Sequence, residues 1–218
     1  DVRGLAAATG ISTPSLRRLL RALAAFGVVV EEEPGRFGPT PRSDLLRRDH
    51  PRALRPAAMY FAEAWVQEPW RHLAEAVRTG IAPFLRLHGP SLWQYMADHP
   101  DAAALFNEML ATLRPERHAA VVEAYDFSGV QRLVDVGGGY GQLLVAVLQA
   151  QPAMRGTLLD LPAVVAAAGA ALEQGGVAGR CAVAGGDMFT AVPRGGDAYI
   201  FSNVIHDWGD EESAAILI

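Results

Sequence analysis

The chain has 218 residues, half of them apolar and a fifth charged, with a formal net charge of −5. This is long enough for one large domain or two small ones with a real core. No apolar run approaches the roughly 20 residues that span a bilayer, and the opening residues have no secretory pattern, so a soluble, membrane-free protein is expected.

The single cysteine, Cys181, excludes an internal disulfide framework and fits a reducing, cytoplasmic setting. All 19 basic residues are arginine, which reads as genomic base-composition bias rather than function. Charge is uneven: residues 1–56 are net +4, residues 57–125 net −3 and residues 126–218 net −6. The chain starts at Asp1 without methionine and stops inside the apolar run SAAILI, so both ends are expected to be cut.

Residues 2–9 and 13–26 have helical periodicity, with Leu5, Ala8, Leu16, Leu19, Leu20 and Leu23 on apolar faces. Gly10 and Gly27 are expected to end these helices, and Ser12 or Thr13, followed by Pro14, to start the second. Val28–Val30 and Arg36–Gly38 flank a Pro-Gly turn and read as a hairpin. Helix, turn, helix and hairpin make a winged-helix pattern over the first part of a region spanning residues 1–85. Helices are expected over 43–48, 52–66, 68–79, 90–97 and 101–125. Residues 86–125 form a helical linker.

From Val130 the pattern changes to strand and helix in alternation. Strands are expected at 132–136, 156–161, 181–184 and 197–202, with helices at 142–150 and 163–173. This implies an α/β unit over 126–218, with a Rossmann-like parallel sheet and ligands at the carboxyl ends of its strands.

The run VDVGGGYG joins the first of these strands to a helix. Its glycines let a ligand approach the backbone. The dinucleotide spacing G-x-G-x-x-G fails, because the third position falls on Gln142 or Leu144. The pattern is D-x-G-x-G-x-G, carried by Asp135, Gly137, Gly139 and Gly141, and it resembles the S-adenosylmethionine signature of class I methyltransferases. Asp160 ends the second strand, where an acid can accept from both ribose hydroxyls. Asp187 and Met188 follow the third strand and suit an adenine ring, the acid for its amine and the thioether for its face. His206 follows the fourth strand. A neutral imidazole there could take the proton of an attacking phenol, whose pKa is about 10.

Together the blocks LVDVGGGYGQLL, LLDLP, GGDMF and SNVIHDWGDEE resemble the caffeate and acetylserotonin type of O-methyltransferase, in particular its bacterial natural-product branch. The resemblance covers essentially the whole chain. It implies S-adenosyl-L-methionine as cofactor, with contacts from Asp135, Gly137, Gly139, Asp160, Asp187, Met188 and Ser202, and His206 as general base. Plant members usually have lysine where Ser202 stands; a serine can still hydrogen-bond the cofactor. Asp207 and Trp208 match the same motif.

The resemblance further implies a small aromatic hydroxyl-bearing acceptor, roofed by the helices before the core. Trp93, Met96, Phe106, Met109 and Leu110 would line its pocket and Asn203 its floor. It implies a homodimer joined through the N-terminal region. The core is expected to be truncated at its C-terminus, with the acids that orient His206 lying beyond residue 218.

Two other readings compete. Arg17, Arg18 and Arg21 on the second helix suit a winged-helix DNA-binding regulator, although the acidic chain argues against nucleic acid. Some relatives keep the cofactor but carry out hydroxylation or decarboxylation-type tailoring; the intact IHDW block favours methyl transfer. The six histidines form no metal-ligand spacing with carboxylates beyond the adjacent His206 and Asp207, so no metal is expected.

Overall fold

The computed structural model describes residues 1–89, 91–113 and 115–217. The chain divides into two compact units, Asp1–Leu113 and Arg114–Ile218.

The first unit begins with α1 (Val2–Thr9) and α2 (Thr13–Ala25). The Asp1 carboxylate accepts the Gly4 N–H at 2.8 Å and caps α1, which ends at Gly10 in the left-handed region. Ser12 is the residue before α2, but its hydroxyl pairs with Ser15 Oγ rather than with the helix backbone. The hairpin strands β1 (Val29–Glu33) and β2 (Arg36–Pro39) pair antiparallel around Gly35. Val2, Ala6 and Leu16 form a small core here, with Leu20 and Phe37 against it.

Among the described residues, seven helices follow in this unit: α3 (Pro41–Asp44), α4 (Arg55–Ala62), α5 (Ala64–Arg71), α6 (Leu73–Thr79), α7 (Pro83–His88), α8 (Leu92–Asp98) and α9 (Pro100–Leu113). The expected helices are cut shorter than periodicity suggested. The helix expected over 43–48 starts earlier and ends sooner, because Thr40 caps Ser43 N in a capping box. The helix expected over 52–66 breaks at Glu63, whose backbone is extended. The next breaks at His72. Residues 83–88, of which only 86–88 fall in the expected helical linker, form α7 with Pro83 in its first turn. The helices expected over 90–97 and 101–125 include Pro90 and Arg114, which lie outside the described residues.

An aromatic cluster ties this unit together. Tyr60 packs on Trp65 and Phe106 with ring centroids 5.4 and 5.8 Å apart. Trp93 meets Phe106 edge-on at 6.0 Å. Edge-to-face aromatic pairs add to the burial of their large apolar surfaces.

The second unit starts with α10 (Pro115–Ala124). It continues with β3 (Arg132–Val136), α11 (Gln142–Ala150), β4 (Arg155–Asp160), α12 (Pro162–Val165), α13 (Gly169–Gln174), β5 (Cys181–Gly185), β6 (Ala198–Ile200) and α14 (Asp210–Leu217). The expected helix over 163–173 is two short pieces, and the last strand is shorter than the run 197–202.

The sheet is parallel, in the order β5-β4-β3-β6. β3 is therefore flanked on both sides, and its near-continuous apolar run is what such a position requires. On one face Leu133 and Leu158 pack with Leu144 and Leu148 of α11. On the other, Val134, Val136 and Leu159 pack with Met188, Val192 and Phe201. The chain runs β3, β4, β5 outward and then returns to place β6 on the far side of β3. This reversal puts a topological switch between β3 and β6.

Candidate functional site

Parallel pairing brings the carboxyl ends of all four strands to one edge of the sheet. The turn Gly137–Gly141, Asp160, Asp187 and the segment Ser202–Asp207 all follow or close those strand ends.

The turn follows β3 and ends on α11. Gly137, Gly139 and Gly141 all have positive φ, at 67°, 60° and 82°, where a side chain is strained. Gly137 is also confined by the loop after β6: a Cβ there would lie 2.7 Å from Val204 Cγ2. Val204 is buried, so it has little room to withdraw. The spacing of glycines in sequence gave no sign of this contact with Val204.

Asp160 holds the turn. Its Oδ2 accepts the Gly139 N–H and its Oδ1 accepts the Leu161 N–H, both at 2.7 Å. Burial pushes its carboxyl above the usual range, while these two amide hydrogen bonds pull it down. Each carboxylate oxygen keeps a further lone pair.

Asp135 lies beneath the turn, wholly buried, with no hydrogen-bond partner on either carboxyl oxygen. In this conformation it has no surface from which to touch a ligand. Burial first, and the nearby Asp160 second, push its carboxyl up to about 7. The Leu144 N–H at the start of α11 favours the anion, but it is outside hydrogen-bonding geometry.

Asp187 is exposed, and its Oδ1 accepts the Phe189 N–H at 3.0 Å. Met188 is half-buried against the Val134 cluster. Phe189 is exposed and packs edge-on against Trp208 at 4.6 Å.

Ser202 is half-buried at the end of β6. Asn203 has a φ of 59°, the one described non-glycine residue in the left-handed region. Its Oδ1 accepts from Arg117 Nη1 of α10 at 2.9 Å. Backbone held in that region is uncommon outside glycine and concentrates at functional segments. A separation of 86 residues hides the Arg117 link from any sequence motif.

His206 sits in a single 3-10 turn, Ile205–Asp207, with its side chain 64% exposed. Its Nε2 lies 3.2 Å from Asp207 Oδ1. Burial raises the Asp207 carboxyl and the His206 charge lowers it. Sequence motif alone gave Asp207 no chemical step; the structure places it against the imidazole. Among the described residues no group of three or more histidine, cysteine or acidic side chains is arranged to hold a metal ion.

The residues expected around an acceptor divide between the units. Trp93 and Phe106 meet in the first, where Met109 is buried at 4% exposure and Met96 is also buried. Leu110 is exposed there. Asn203 belongs to the second.

The O-methyltransferase domain model matches residues 70–218. The phenazine O-methyltransferase PhzM of Lysobacter antibioticus is 44% identical over 216 residues, which is 99% of this chain and 63% of that protein. The crystal structure of LaPhzM superposes with a TM-score of 0.93 at 44% identity, covering 99% of this chain and 65% of that one. A second similar structure is the O-methyltransferase NcsB1 from neocarzinostatin biosynthesis, solved in complex with S-adenosylmethionine and 2-hydroxy-5-methyl naphthoic acid. It has a TM-score of 0.83 at 33% identity and covers 99% of this chain and 67% of that one. The chain spans about three-fifths of the length of the curated relatives it matches.

Proposed function

The chain belongs to the O-methyltransferase domain family, and on that premise we propose that it binds S-adenosyl-L-methionine and methylates a hydroxyl group on a small aromatic natural product. The observation that carries this reading is the single sheet edge shared by the left-handed glycine turn, the Asp160 carboxylate and the His206 turn. The cofactor complex of the similar NcsB1 supports it.

The residues fit such a cofactor. The turn offers backbone without side chains, and Asp160 retains acceptor capacity for ribose hydroxyls. Asp187 would accept from the adenine amine, and Met188 would supply an apolar face for the ring. Ser202 would offer its hydroxyl to the cofactor. Gly137 and Gly139 let it approach, and Asp135 supports them from below. When bound, the cofactor supplies an electrophilic methyl group on a sulfonium.

His206 then acts on the acceptor, taking the hydroxyl proton as the oxygen attacks. General-base help of this kind is worth about 10²–10⁴-fold, and in-line positioning supplies the rest. Trp93, Phe106, Met109 and Asn203 are residues whose replacement is expected to change which acceptor is used. Methyl transfer is favoured by the family assignment over hydroxylation, decarboxylation or DNA regulation.

A similar protein named as an 8-amino-8-demethylriboflavin N,N-dimethyltransferase, 37% identical, favours an aromatic amine as a second acceptor class. The first unit is proposed to pair with a second copy through its winged-helix region. Phe26 at the end of α2 is 73% exposed and Leu19 on the same helix is half-exposed, an apolar surface that pairing would cover.

The test is incubation of the purified protein with S-adenosylmethionine and a panel of phenols and anilines, read by mass spectrometry. A gain of one CH₂ on a phenol is the expected result. A gain confined to anilines selects the second acceptor class, and no methylated product from any acceptor, with no binding of S-adenosylmethionine, overturns the proposal.

A further inference from the structure

The buried acid under the glycine turn has no part in the chemistry described above. Asp135 lies on β3, paired in register with Leu158 of β4 and Ile200 of β6. Two positions beyond Leu158, on the same face of the neighbouring strand, is Asp160. The backbone of the turn rests directly on the Asp135 carboxyl: a Cβ on Gly138 would lie 2.6 Å from both its Cγ and its Oδ2. The next residue, Gly139, donates to Asp160. Two carboxyls thus hold two successive glycines, one from beneath and one through an amide.

The two carboxyls are not equally equipped to carry a charge. Asp160 accepts two backbone N–H groups, whereas neither oxygen of Asp135 has a hydrogen-bond partner. A fully buried carboxylate with no protein hydrogen-bond partner is strongly disfavoured, and a second carboxylate alongside disfavours it further.

Among the described residues, burial, Asp160 and the Leu144 amide are what act on the Asp135 carboxyl, and no cation is among them; Arg117 of α10 is engaged with Asn203. α11, Gln142–Ala150, contributes no titratable side chain. On β5, the Cys181 thiol lies on the same side of the sheet and is itself pushed up to about 11, chiefly by burial and in part by Asp135. Tyr199 of β6 sits at the register position of Val134, on the opposite face. The turn itself carries Tyr140.

We infer that Asp135 is a positioning residue that supports the glycine turn as a protonated carboxylic acid, and that the adenosyl cofactor binds preferentially to this protonated form. The inference rests on the cofactor reading proposed above. Ribose hydroxyls donating to Asp160 stabilise its charge and strip the remaining water from it. An ionised Asp135 would then face that charge at lower local dielectric. Cofactor binding therefore draws a proton from solvent onto Asp135 wherever the free protein has begun to lose it.

The experiment is calorimetric titration of the purified protein with S-adenosylhomocysteine between pH 6 and 9, in buffers of differing ionisation enthalpy. The expected result is an affinity that is level at low pH and weakens about three- to tenfold between pH 7 and 8.5, with fractional proton uptake over the same range. In Asp135→Asn both the slope and the uptake are expected to vanish, because an amide cannot ionise. A wild-type protein that binds with no proton uptake, or an Asn variant that keeps the wild-type slope, overturns the inference. Failure of S-adenosylhomocysteine to bind at any pH overturns the cofactor reading instead, and this inference with it. Should the Asn variant not fold, proton uptake by the wild type decides.

Discussion

Asp160 reaches from the end of β4 to the glycine turn after β3, where its Oδ2 accepts the Gly139 N–H at 2.7 Å. The carboxylate that is proposed to meet the cofactor's ribose also fixes the backbone that is proposed to cradle its amino-acid tail. Removing it should damage both contacts at once. Asp160→Ala is expected to weaken S-adenosylhomocysteine binding by roughly 10- to 100-fold, the scale of one or two hydrogen bonds to a charged group. Asp160→Asn should fall between, since its carbonyl oxygen can still accept from Gly139. Calorimetry giving wild-type affinity for the Ala variant would count against both roles.

Gly137 meets two separate constraints, a left-handed backbone and the Val204 side chain. Gly137→Ala is expected to cost about 1–2 kcal/mol from the backbone alone, and more from the contact with Val204. Adding Val204→Ala should relieve the second cost and leave the first. Thermal unfolding of the three variants separates them. A double variant no more stable than Gly137→Ala would show that Val204 does not confine the turn.

The sheet and the edge proposed to hold the cofactor were legible in sequence because each step has a local cause. The apolar run of β3, the positive-φ glycines and the acid ending β4 are written in neighbouring residues. The helical first unit was less legible: its periodicity continues across Glu63 and His72, and only the backbone there shows that the helices break. What no local pattern contains is pairing between distant residues. Val204 under Gly137 and Arg117 on Asn203 depend on how the chain returns to β3 after β5. The burial of Asp135 has the same origin. The motif marks it as an acid near the ligand, while packing of β4, β6 and the turn puts it out of reach.

Asp135 also makes stability depend on pH in a definite direction. Its folded-state carboxyl titrates at about 7, against about 3.9 for an unfolded aspartate. The folded state therefore holds more protons than the unfolded state between these values, so stability is lost as pH rises through that window. The loss is complete above about pH 7. Asp135→Asn removes this dependence. Its unfolding midpoint relative to wild type should climb from pH 5 to pH 7 and level off above. Each pH unit inside the window is worth up to about 1.4 kcal/mol. Parallel midpoint curves for the two proteins across pH 5–8 would contradict the assignment.

The His206 turn gives the most direct test of the chemistry. The imidazole is exposed, with Nε2 3.2 Å from Asp207 Oδ1, so one ring nitrogen faces a carboxylate and the other remains to take the acceptor's proton. His206→Ala is expected to lower methyl transfer by about 10²–10⁴-fold, as general-base removal does, while S-adenosylhomocysteine binds as before. Asp207→Asn should act only through the orientation of the ring. Exposed pairs of this kind contribute under about 1 kcal/mol, so a fall in kcat of under about tenfold is expected, with KM for the cofactor unchanged. Single-turnover measurements on both variants distinguish the two roles. Equal losses would make Asp207 part of the proton transfer itself, and full turnover without His206 would remove the general base from the mechanism.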